Sequence, residues 1–144
     1  MINFKRFPIE PYKDALYLFC PCSKDGAKAW VKRRKLVDID LEDFDACDGI
    51  TYHTSIGNLI FMHEFTDTPE SIGVLAHELL HATFNVLNER GVKEEAGNEE
   101  AAAYLLDTLI SKSLKWLRAQ SKPTPTESDA GSPPASGRTA LRNA

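Results

Sequence analysis

The chain has 144 residues, 42% of them hydrophobic and 26% charged, with a formal net charge of −4. That suffices for one domain with a modest core. The negative balance argues against a protein that tracks nucleic-acid phosphates, and no apolar run approaches the ~20 residues of a membrane-spanning helix, so neither nucleic acid nor membrane is expected as a partner.

At the N-terminus, Met1-Ile-Asn-Phe-Lys-Arg-Phe-Pro8 has no long apolar stretch after its basic pair, and no secretory signal is expected. Ala15-Leu-Tyr-Leu-Phe-Cys20, bounded by Pro11 and Pro21, predicts a buried strand. Cys20, Cys22 and Cys47 are too few and too odd in number for a disulfide framework, which favours reducing cytoplasm. The single residue between Cys20 and Cys22 is not a zinc-knuckle spacing, so these read as strand-end cysteines. Ser23 to about Lys35 predicts a helix with Ala27, Trp30 and Val31 on one face. Its basic cluster, Lys28, Lys32, Arg33, Arg34 and Lys35, reads as a solvated face. Asp38-x-Asp40-x-Glu42 opens like a calcium loop, but Asp43 and Gly49 stand where glycine and glutamate are required, which excludes an EF-hand.

Gly49–Thr54 and Asn58–Phe65 predict a β-hairpin around Ser55-Ile56-Gly57-Asn58. Thr68 then supplies an N-cap, Pro69 a first helical residue and Glu70 a charge suited to the helix dipole. Ile72, Leu75, Leu79, Val86 and Leu87 continue at helical spacing to a left-handed cap at Gly91, with Val92 set to touch the last turn. A second helix is predicted from about Asn98 to Ala119, with Ala102, Leu105, Leu106, Leu109, Ile110, Leu114 and Leu117 as its stripe. The folded domain is thus read as residues 1–120. Residues 121–144, rich in Pro, Ser and Thr and almost free of large apolar side chains, read as a disordered tail.

The chemistry lies in His77-Glu78-Leu79-Leu80-His81. Histidines at i and i+4 lie ~40° apart around a helix and ~6 Å apart along it. Both imidazoles therefore reach one metal ion without bending the backbone. Glu78, rotated by ~100° from His77, flanks the ion, where it can accept a proton from water. A third protein ligand is needed. The extended motif with Gly and His after the second histidine is excluded by Phe84 and Leu87. His53 and His63 read as surface residues of the hairpin, which leaves the carboxylates of Asn98-Glu99-Glu100-Ala101-Ala102-Ala103-Tyr104. Glu100, which shares a face with Ala103 and Asp107, is favoured over Glu99. Residues 90–97 can span up to ~26 Å, enough to return toward the middle of the first long helix.

On this pattern the chain resembles the zincin metallopeptidases whose third ligand is a glutamate, the gluzincins, and in particular their small single-domain forms often encoded by bacteriophages. The resemblance covers roughly residues 50–118. It implies an α+β minimal-zincin domain in which a short antiparallel sheet or hairpin packs on the motif helix and a second C-terminal helix. It further implies zinc held by His77, His81 and Glu100, with Glu78 as catalytic base, in a hydrolase cleaving a peptide or protein substrate. By analogy, residues 58–65 would be the sheet edge along which substrate lies. Larger gluzincins often have an aspartate shortly after the third ligand that orients a metal histidine; here Tyr104 stands at i+4 and Asp107 at i+7. Tyr104 and His53 are the candidates for stabilising an oxyanion. The alternative is a zincin-like binding module with a structural or vestigial metal, acting in phage assembly or host regulation.

Overall fold

The computed structural model describes residues 2–93 and 98–121. The expected tail lies outside them, apart from Ser121. The elements run β1 (Phe4–Ile9), β2 (Asp14–Phe19), α1 (Lys24–Arg33), a 3-10 turn (Glu42–Ala46), β3 (Gly49–Thr54), β4 (Gly57–Met62), α2 (Pro69–Glu89) and α3 (Glu99–Gln120). The strands form one four-stranded sheet in the order β1-β2-β4-β3. β1–β2 and β3–β4 are antiparallel, while β2 and β4, far apart in the chain, pair in parallel. The architecture is α+β, with helices on both faces of the sheet.

Alternation along the two central strands builds both faces. Leu16 and Leu18 of β2, with Ile60 and Met62 of β4, pack under α2 and α3 against Leu75, Leu79, Ala82, Val86, Leu105 and Leu109. Tyr17, Phe19, Leu59 and Phe61 point the other way, toward Trp30 and Val31 of α1 and Phe44 of the 3-10 turn. A strand covered on both sides reads as a continuous apolar run, and β2 and β4 both do.

One expectation is corrected, and one strand is added. The sheet edge beside α2 is β3, not residues 58–65, because β4 lies between β2 and β3. Every residue of β4 is buried, as befits an inner strand, whereas those of β3 are partly exposed. β1 is an additional strand, hidden in the sequence because Lys5, Arg6 and Pro8 interrupt its apolar pattern. Its outer position tolerates proline, and its Phe7 and Ile9 still reach the core. The hairpin turns through Ser55 and Ile56 alone, Thr54 facing Gly57. Gly57 holds φ +122°, and a Cβ there would lie 2.3 Å from the carbonyl oxygen of Ala15 on β2, so glycine is required for β4 to approach β2.

Candidate metal centre and general base

α2 starts where its residues dictate. The Thr68 side chain accepts from the Ser71 amide, the Ser71 side chain returns the bond to Thr68, and Pro69 occupies the first turn. At the other end Gly91, at φ +69°, donates to Asn88, and Val92 donates to Leu87 at 3.0 Å. This is a Schellman closure, with Val92 packed on the core as expected. Between these ends the helix is fastened to the sheet by Asn85, which donates to Asn58 of β4 at 2.9 Å.

α2 lies along β3 in the same direction. Gly49 sits against Val74 and Glu78, Thr51 against Glu78, and the His53 ring approaches Glu89 at 3.1 Å. At ~100° per residue, His77 and His81 fall to one side of Glu78, while Leu75, Leu79, Ala82 and Val86 fall to the other. The motif therefore divides into an exposed histidine edge, a glutamate facing β3, and an apolar stripe facing the core.

The histidines converge. Their Nε2 atoms stand 3.1 Å apart, with rings 4.7 Å between centroids and nearly perpendicular. Two zinc–nitrogen bonds of ~2.0–2.1 Å at a tetrahedral angle place their nitrogens ~3.3 Å apart, so the pair suits a shared cation. Without one, the same geometry is a ring N–H of one imidazole donating to the other. Glu78 is buried, and its Oε2 accepts from the Thr51 hydroxyl at 2.5 Å. The same hydroxyl lies 3.1 Å from the Glu78 carbonyl oxygen.

The expected third ligand is not brought to this pair. Among the described residues, no three His, Cys, Asp or Glu side chains group so as to hold a metal ion. α3 shares one core with the apolar stripe of α2 through Leu105, Leu109 and Leu117. Glu99, Glu100 and Asp107 are exposed on that helix. Tyr104, 71% exposed, borders a groove against the β1–β2 turn. The remaining histidines are also engaged elsewhere, His53 with Glu89 and His63 with the Phe44 carbonyl at 2.9 Å.

Cys20 and Cys22 sit apart from this chemistry, buried on opposite faces of the sheet. Burial pushes the Cys20 thiol up to about 11, helped by the negative charge of Glu64, and burial pushes Cys22 up to about 12. Such thiols stay protonated and unreactive at neutral pH. Gly49 and Thr51 are the site residues that the sequence reading passed over. Their signal was the period-two pattern Gly49, Thr51, His53, which places one face of β3 against whatever covers it.

Set against family models, curated proteins and solved structures, the chain matches none. Among the described residues, no helix is long and apolar enough to cross a membrane.

Proposed function

We propose that the chain is a zinc-dependent hydrolase acting on peptide bonds, with His77 and His81 as metal-holding residues and Glu78 as general base. The observation that carries this reading is the 3.1 Å convergence of the two imidazole nitrogens beside a buried carboxylate on the same helix. A bound cation supplies Lewis acidity toward a carbonyl and depresses the pKa of an adjacent water. Glu78 takes the proton of the attacking water and returns it to the leaving amine. β3 pairs only with β4, so its outer backbone groups are free among the described residues to receive an extended substrate as an added strand.

A second reading, a binding module that carries a structural or vestigial metal, is favoured by one observation: among the described residues no third His, Cys, Asp or Glu side chain joins the histidine pair. Two measurements separate the readings. Glu78→Gln should retain zinc and lose turnover of a peptide library by ~100-fold or more; full turnover in that variant refutes Glu78 as the base, and a wild type with no turnover sinks the hydrolase. Zinc content should collapse in His77→Ala and in His81→Ala. Loss in Glu100→Ala or Glu99→Ala as well would assign the third ligand to the start of α3. Retention in both would leave the histidine pair as the donor set and favour the binding module.

A further inference from the structure

We infer that Thr51 is a positioning residue for Glu78, with Gly49 supplying the space that Glu78 occupies; this rests on the hydrolase reading above. Thr51 belongs to a strand held in register by β4, opposite Ile60, so its hydroxyl is offered from a fixed point. Threonine is also stiff at χ1, which limits where that hydroxyl can go. It meets Oε2 of Glu78 at 2.5 Å. Oε1 makes no protein hydrogen bond among the described residues.

Oε2 is thus tethered to β3, while Oε1 has no such tether among the described residues. The Thr51 hydroxyl can donate to Oε2 whether or not Oε1 carries a proton, so the tether persists through both transfers. Gly49 sets the other boundary. A Cβ there would come within 3.0 Å of Glu78 Cγ and of Val74 Cγ1, tighter than ordinary contact, so any larger residue would press on the side chain of the base. Two strand residues on one face of β3 therefore confine a carboxylate that otherwise has three rotatable bonds. Such confinement affects proton transfer more than binding, because a base displaced by ~1 Å can lose ~100-fold in rate while substrate still docks.

The test uses the full zinc-loaded chain and a fluorogenic peptide library, reading kcat, KM and zinc content for wild type, Thr51→Val, Thr51→Ser and Gly49→Ala. Valine has nearly the shape of threonine and favours strands, so Thr51→Val tests the hydroxyl with the strand preserved. Its kcat should fall ~10–100-fold, with KM within about twofold of wild type and zinc content unchanged. Thr51→Ser should recover most of kcat, and Gly49→Ala should lower it. Wild-type kcat in Thr51→Val overturns the inference while leaving the hydrolase intact, and so does a serine variant no better than valine. A wild type with no turnover overturns both. If Gly49→Ala does not fold, the valine and serine pair decides alone.

Discussion

Ser113 lies in the middle of α3, fully buried, and its hydroxyl has no hydrogen-bond partner among the described residues. A buried, unsatisfied hydroxyl costs on the order of 1–3 kcal/mol, and serine is also a poorer helix former than alanine. Ser113→Ala should therefore raise stability by ~1 kcal/mol, seen as a higher urea midpoint with an unchanged slope; an unchanged or lower midpoint would refute this. Thr83 shows the contrast, since it is equally buried in α2 but donates to the Leu79 carbonyl at 2.8 Å. At this scale the candidate site was half legible. His77, Glu78 and His81 are fixed relative to one another by one helix, so spacing alone placed them. The Thr51 contact depends on how β3 lies against α2, a tertiary fact that no local pattern carries. The same limit applies to Glu100, whose distance from the histidines is decided by which stripe of α2 receives α3.

Elements were most readable at their ends. Thr68, Pro69 and Gly91 bound α2 because capping chemistry is local, and the helix occupies the expected span. Gly91 offers a clean measure of this. It holds φ +69°, and a Cβ there would meet nothing within 4 Å, so Gly91→Ala changes the backbone term without a clash. The expected cost is ~1 kcal/mol, measurable by thermal or urea unfolding; a neutral substitution would show that the left-handed cap contributes nothing. Strand order was less readable. The β3–β4 hairpin follows from its turn residues, but the parallel pairing of β2 with β4 joins segments separated by α1 and the 3-10 turn. That pairing makes β4 an inner strand and leaves β3 as the edge beside the motif helix. β1 escaped notice because outer strands tolerate the charges and proline that blur a period-two signal.

The molecule as a whole consists of two chemically different cores sharing one sheet. The α1 side is aromatic, with Phe19 stacked on Phe61 at 4.6 Å and edge-on to Trp30 at 4.8 Å. The side under α2 and α3 is mainly aliphatic, and Trp116 stands at its margin, edge-on to Phe7 at 6.3 Å. The chain's two tryptophans therefore sit on opposite sides of the sheet. Each gives an optical reporter for its own half: Trp30→Phe leaves the emission of the helix-pair side, and Trp116→Phe leaves that of the aromatic side. Because β2 and β4 send alternate residues into both halves, the two fluorescence melts should superimpose as one cooperative transition. A lower midpoint for the Trp116 reporter would mean that the half carrying the histidines can loosen while the other stays intact.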